Sequence, residues 1–117
     1  MAKIVVMDDE ASVRGVLQRA LEMDGHEVQA FEDAAPALEE VDFREIDLVI
    51  TDLVMPTPGD QFILILDQED IEVPIMVLSA HLTDARSEYL RELGVRMILE
   101  KPFQVAELLK AVKQVLG

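Results

Sequence analysis

The sequence predicts an α/β domain built on a doubly wound, five-stranded parallel sheet, and three observations predict it. Short apolar runs recur at residues 4–7, 28–30, 48–51, 73–78 and 96–99, with amphipathic segments between them, the alternation expected of a βαβ chain. The third run, within Asp47-Leu48-Val49-Ile50-Thr51-Asp52, is nearly continuous in apolar residues, as a strand covered on both faces requires. Four of the five runs are followed at once by polar or charged residues, so these side chains collect along one edge of the sheet.

Taken in order, the segments between the runs read as five helices. Val13, Val16, Leu17, Ala20 and Leu21 recur at helical spacing, and Gly25 follows as a stop. Asp33 is placed to cap a second helix, with Pro36 tolerated in the first turn and Ala37, Leu38 and Val41 facing inward. The stretch 62–66 is apolar throughout and fits helix or strand. It reads as helix, because parallel neighbours need a crossover and no other segment can make this one. A fourth helix over about residues 83–93 is weakly patterned, with Ala85, Tyr89 and Leu93 in one row and Gly94 ending it. The last helix carries a wide stripe of Val105, Leu108, Leu109, Val112, Val115 and Leu116.

The 117 residues suffice for one domain, residues 1–117, without linker, repeat or low-complexity tract. There is no cysteine, which excludes a disulfide framework and any thiolate chemistry. The first apolar run is too short for a signal peptide, and none approaches the roughly 20 residues of a membrane span. A cytoplasmic location is expected. Twenty-four acidic against ten basic residues give a formal charge of −14, which disfavours direct nucleic-acid binding and contact with anionic membranes. A metal cation or a basic partner fits better.

The strand ends carry the functional reading. Met7 is followed by Asp8-Asp9-Glu10, Thr51 by Asp52, Leu78 by Ser79-Ala80, and Leu99 by Glu100-Lys101-Pro102. In the flavodoxin-like order 2-1-3-4-5, strands 1 and 3 are neighbours at the switch point where ligands of such sheets bind. Asp8, Asp9 and Asp52 then meet, with Ser79 and Lys101 approaching from the other side. Clustered carboxylates repel unless they share protons or a cation, and hard oxygen ligands at a cleft mouth suit Mg²⁺. Lys101 supplies a positive charge for a phosphoryl group, and the Ser79 hydroxyl donates to the same oxygens. An aspartate in this setting acts as a nucleophile and becomes an aspartyl phosphate. Each piece alone is ordinary surface chemistry; their joint occurrence at four strand ends is not.

On these residues the chain resembles the receiver domains of bacterial two-component response regulators over its whole length. The family's acidic pair matches Asp8 and Asp9, its phosphorylated aspartate Asp52 in Thr51-Asp52-Leu53-Val54-Met55-Pro56, its hydroxyl residue Ser79, and its lysine Lys101 in Lys101-Pro102-Phe103. The resemblance implies that Asp52 takes a phosphoryl group from a phosphohistidine of a sensor histidine kinase or phosphotransfer protein. It implies Mg²⁺ on Asp9, Asp52 and the Val54 carbonyl, with Asp8 acting through bound water. It further implies that Lys101 pairs with the phosphoryl oxygens, that Ser79 swings toward them, and that the Lys101–Pro102 peptide is cis. The first helix would face the kinase. The surface of helix 4, strand 5 and helix 5, with Arg86, Arg91, Arg96, Lys110 and Lys113, would carry output to an unknown downstream protein or domain. Such a chain is a signalling module rather than an enzyme, although it catalyses its own phosphoryl transfer and dephosphorylation.

Three departures qualify the match. Ile98 stands where the family usually has an aromatic residue in strand 5, and a β-branched side chain has few rotamers with which to report a switch. Gly59 comes one position earlier than the family's glycine, with Asp60 at the usual place. Gly15 interrupts the first helix at a cost of about 1 kcal/mol relative to alanine, either tolerated or admitting a partner helix. Three other readings compete. A hydrolase with an aspartate nucleophile would need a second aspartate two residues on, where Val54 stands. A receiver-like interaction module acting without phosphorylation is the alternative that the complete acid, hydroxyl and lysine set argues against. A nucleotide binder lacks the glycine-rich loop after strand 1.

Overall fold

A computed structural model describes residues 1–117. Five parallel strands, β1 (Lys3–Met7), β2 (Glu27–Phe31), β3 (Leu48–Asp52), β4 (Ile75–Ser79) and β5 (Met97–Glu100), pair in the order β2-β1-β3-β4-β5. They alternate with helices α1 (Ala11–Met23), α2 (Ala34–Glu40), α3 (Gly59–Gln68), α4 (Asp84–Glu92) and α5 (Val105–Leu116). The doubly wound fold and its strand order are those read from the sequence.

Alternation along each strand divides the apolar side chains between the two faces of the sheet. Ile4, Val6, Leu48, Ile50, Met76 and Leu78 join Leu17 and Leu21 of α1 and Leu108, Ala111 and Val112 of α5 in one cluster. Val5, Met7, Val49, Ile75 and Val77 join Ala34 and Ala37 of α2, Phe62, Ile63 and Leu66 of α3, and Leu90 of α4 in the other. Both central strands are buried at every position, which is why their sequences read as continuous apolar runs rather than alternating ones.

The helix termini follow local chemistry. The Asp33 carboxylate accepts the Ala35 N–H at the start of α2, Thr83 caps α4 through the Arg86 N–H, and Gln104 and Glu107 form a reciprocal capping box at α5. α1 and α4 stop at Gly25 and Gly94, both at positive φ. After α3 the same left-handed position is filled by Asp70, with φ 55°. Aspartate tolerates that region better than most residues, so this helix ends without a glycine signal.

The structure corrects several sequence expectations. Val16 is 44% exposed; the inward stripe of α1 centres on Leu17 and Leu21, and Val16 lies about 100° round the helix from Leu17. Ala85 and Tyr89 are exposed too, and α4 is held by Leu90 with Leu93 half-buried beside it. Val41 follows α2 as its cap residue instead of closing its stripe, and remains packed on the core. β4 starts at Ile75, since Pro74 has no N–H to give a ladder, although its carbonyl still accepts the Val49 N–H at 2.9 Å. A 3₁₀ turn over Phe43–Glu45, unmarked in the sequence pattern, buries Phe43 edge-on against Phe62, with centroids 5.2 Å apart.

Candidate functional site

The period of two that sorts the core also assembles the site. Continuing the Ile4–Val6 row of β1 by two residues reaches Asp8; the Leu48–Ile50 row of β3 reaches Asp52, and the Met97–Leu99 row of β5 reaches Lys101. All three therefore emerge at the carboxyl edge on the α1/α5 side. They are in contact: the Lys101 ammonium donates to Asp8 Oδ2 at 2.9 Å and to Asp52 Oδ2 at 3.2 Å, and lies 3.8 Å from Glu10 Oε1. Ser79 continues the opposite row, Ile75–Val77, and reaches the edge on the α4 side. It is 5% exposed, and its carbonyl accepts the Lys101 N–H at 2.8 Å, but its hydroxyl makes no bond to the acidic residues. Lys101 thus sits among the acids, and Ser79 reaches the same edge from the opposite row of β4. The Lys101–Pro102 peptide is cis.

Asp8 is fully buried and Asp52 nearly so, whereas Asp9 faces solvent. One carboxylate oxygen from each of the three lies within 4.8 Å of the others. Neighbouring amides orient the two buried acids: the Glu10 N–H donates to Asp8 Oδ1 at 2.9 Å and the Val54 N–H to Asp52 Oδ1 at 3.2 Å. Burial pushes the Asp8 carboxyl above its ordinary range, against the opposing pull of the Glu10 N–H and Lys101, and the nearby Asp52 charge adds to the rise. Burial alone would lower Lys101, but its bonds to Asp8 and Asp52 prevail and hold the ammonium above its usual value. Three carboxylates against one ammonium leave two uncompensated negative charges, all on hard oxygens. The donor set fits a divalent cation such as Mg²⁺, which takes few protein carboxylates and keeps several waters.

The early Gly59 has a physical reason. It opens α3 directly against β3, and a Cβ there would lie 2.5 Å from the Asp52 carbonyl oxygen and 3.1 Å from the Leu53 Cα. Only glycine permits that approach. Gly15 is different, with nothing within 4 Å of a Cβ built on it.

Two supporting residues, Arg14 and Thr57, carry no signal in the sequence, and a third, Asp33, does more than the sequence indicates. Arg14 of α1 donates to the Asp8 carbonyl at 2.7 Å, pinning the turn that carries the acidic pair. Asp33, read as a helix cap, also receives the Thr57 N–H at 2.7 Å and the Thr57 hydroxyl at 2.8 Å. Burial opposes charge on Asp33, yet the bonds from Thr57 and from the Ala35 and Ala34 amides hold its carboxyl below the ordinary range. The cap residue was legible, but a partner 24 residues away was not.

A parallel sheet in this order, with an acidic corner and a lysine at its switch point, defines the receiver class of doubly wound module. Sequence comparison agrees: a profile of the response regulator receiver domain matches residues 4–113, and the chain belongs to that family. It is 36% identical over 116 residues to the transcriptional regulatory protein PrrA of Mycobacterium tuberculosis, covering 97% of this chain and 49% of that protein. It is 33% identical to the DNA-binding transcriptional regulator NtrC of Rhizobium meliloti, covering 99% of this chain and 24% of that one. The chain thus spans half or less of the length of these relatives. Among solved structures, chemotaxis protein CheY4 of Vibrio cholerae superposes with a TM-score of 0.89 at 29% identity, covering 98% of both chains. The non-phosphorylated HemR receiver domain of Leptospira biflexa shares the fold with a TM-score of 0.93 at 23% identity, covering 100% of this chain and 95% of that one.

Proposed function

We propose that this receiver domain accepts a phosphoryl group on Asp52 from a phosphohistidine of a sensor kinase or phosphotransfer protein, in a reaction that depends on Mg²⁺. The single observation that carries this reading is the Lys101 ammonium seated between the buried carboxylates of Asp8 and Asp52. An Asp52 carboxylate oxygen attacks phosphorus, a P–O bond forms as the P–N bond breaks, and the imidazole leaves with its electron pair and takes up a proton. Lys101 already lies against Asp52 and needs only a short shift to pair with the phosphoryl oxygens. Ser79 donates its hydroxyl to the same oxygens from the α4 side of the sheet. Asp9, Asp52 and the Val54 carbonyl would hold Mg²⁺ beside Asp8, and the ion would supply charge neutralisation for the carboxylates and the phosphoryl oxygens.

The exposed apolar surface beside the site, Val16 of α1 with Val13 and Phe103 half-buried nearby, is where the kinase docks. Arg86 and Arg91 of α4, Arg96, and Lys110 and Lys113 of α5 are all exposed, and this basic side of an acidic protein carries output. Ile98 is half-buried against the core, so that output is read from the movement of the chain after Ser79 rather than from an aromatic rotamer. No helix is long and apolar enough to cross a membrane, and a cytoplasmic site of action accords with the phosphohistidine partner.

Incubation with acetyl phosphate, with and without Mg²⁺, tests the proposal by intact mass. A single phosphoryl gain that requires both Mg²⁺ and Asp52, absent from Asp52→Ala, is expected. No gain by folded wild-type protein at saturating Mg²⁺ returns the chain to the alternative of an interaction module acting without phosphorylation. Val54 is 74% exposed beside Asp52 and cannot orient an attacking water. The aspartyl phosphate is accordingly expected to be long-lived, and Val54→Asn to shorten it; a wild-type lifetime of seconds would refute this.

A further inference from the structure

We infer that Asp33 and Thr57 form a positioning pair for the cation site, a role that rests on the receiver reading above. Asp33 lies just beyond β2, outside the acidic corner, and is 9% exposed. Capping α2 needs one oxygen and one amide, Ala35 N–H to Asp33 Oδ2 at 3.3 Å. The carboxylate does more: Oδ1 takes the Thr57 N–H at 2.7 Å, and Oδ2 also takes the Thr57 hydroxyl at 2.8 Å. The two shortest of its bonds therefore go to the loop after β3, and the cap bond is the longest.

That loop, residues 53–58, starts immediately after the phosphoaccepting Asp52 and contains Val54. Leu53 and Met55 anchor it from beneath with buried side chains. Its polar anchoring is sparse. Pro56 and Pro58 have no N–H, the Val54 N–H goes to Asp52 itself, and the Thr57 N–H goes to Asp33, while the Leu53 carbonyl accepts the Gly59 N–H at 3.1 Å and the Pro58 carbonyl the Phe62 N–H at 3.1 Å. The orientation of the Val54 carbonyl is set by the backbone between two points, Leu53, whose carbonyl is held by the Gly59 N–H, and Thr57 in the Asp33 clamp, with the buried Met55 side chain between them. Releasing Thr57 leaves one of those points free, and a carbonyl ligand that must be ordered upon binding weakens the site. The chemistry at Asp52 itself is untouched, because neither residue reaches Asp52, Lys101 or Ser79.

The test compares wild-type protein, Asp33→Asn and Thr57→Val, following a Mg²⁺ titration by amide NMR shifts and, separately, the acetyl phosphate reaction rate against Mg²⁺ concentration. Metal-free Asp33→Asn is expected to exchange its Val54 amide hydrogen faster. Its Mg²⁺ dissociation constant rises about 10-fold, the usual effect of removing a group that orients a metal ligand. Thr57→Val, which keeps the backbone N–H, shows a smaller rise of the same sign. At saturating Mg²⁺ both variants regain the wild-type rate. Phe43→Leu, a change in the same apolar cluster as Leu53 and Met55 that leaves the Asp33–Thr57 bonds in place, serves as the control for general loosening and leaves Mg²⁺ affinity unchanged. Wild-type affinity in both clamp variants, or equal weakening in Phe43→Leu, overturns the inference and reduces Asp33 to a helix cap. Wild-type protein that gains no phosphoryl group overturns the receiver reading instead. Should Asp33→Asn not fold, Thr57→Val alone decides, since it alters only a loop side chain.

Discussion

The interior of the sheet and its carboxyl edge are built on different principles. Between the helices, residues 48–50 of β3 and 75–78 of β4 bury every side chain, and the packing there is apolar and indifferent to charge. At the carboxyl ends of β1, β3 and β5, three carboxylates and an ammonium share a corner, and nearby segments are tied by single side chains reaching backbone: Arg14 to Asp8, Asp33 to Thr57. The interior carries the stability, which lets the edge hold mutually repelling groups that contribute little to it. Conditions that change charge should therefore act on the edge while the interior stays in place.

The largest effect expected is in the interior. Phe62 is fully buried and stacked edge-on against Phe43, so Phe62→Ala should cost about 3–5 kcal/mol in urea unfolding. A loss under 1 kcal/mol, roughly the range of surface changes, would break the contrast. Gly59→Ala comes next because it strikes where the two regions meet. The new Cβ would collide with the Asp52 carbonyl, and overpacking of this kind costs about 1–3 kcal/mol. Unlike Phe62→Ala, it should also slow phosphoryl uptake by displacing the strand end.

Asp33→Asn should cost about 1–2 kcal/mol near neutral pH, the worth of a cap and a charged hydrogen bond. Its pH dependence separates edge from interior. The folded Asp33 pKa lies below its ordinary 3.8, so its contribution is complete above the unfolded value and is lost as pH falls from there through the depressed folded value. The stability gap between wild type and Asp33→Asn should close in acid, whereas the gap for Phe62→Ala should not; parallel curves would refute this. The smallest effect is a gain. A methyl on Gly15 meets nothing, so Gly15→Ala should stabilise by up to about 1 kcal/mol without altering Mg²⁺ affinity. A loss would mean that α1 needs that glycine for something other than its own packing.

What the sequence made legible follows the same division. The interior could be read because burial on both faces writes itself as apolar runs, and the acidic corner because counting past each run leads to Asp8, Asp52 and Lys101. The inward face of α4 could not, since Leu90 is a single apolar residue among charges while Ala85 and Tyr89 offered a longer row that solvent in fact claims. Ser79 could be placed at the edge, but the face it addresses was not read, because strand order alone ignores which face each strand end presents. The Asp33–Thr57 clamp was hidden for a different reason: an aspartate before a helix is already accounted for as a cap, so nothing in the local pattern asks for a second partner. Asp70 in a left-handed conformation was hidden because aspartate serves equally well in ordinary turns.

The even spacing that carries Asp8, Asp52 and Lys101 to one side of the sheet makes strand length itself a functional quantity. A residue added within β1, β3 or β5 would leave composition and hydrophobicity nearly unchanged, yet would send the corresponding charged group to the opposite helical layer. Insertions and deletions in this fold should consequently be confined to the connecting segments, and the early glycine after β3 shows one such segment accommodating a shift at the very threshold of the site.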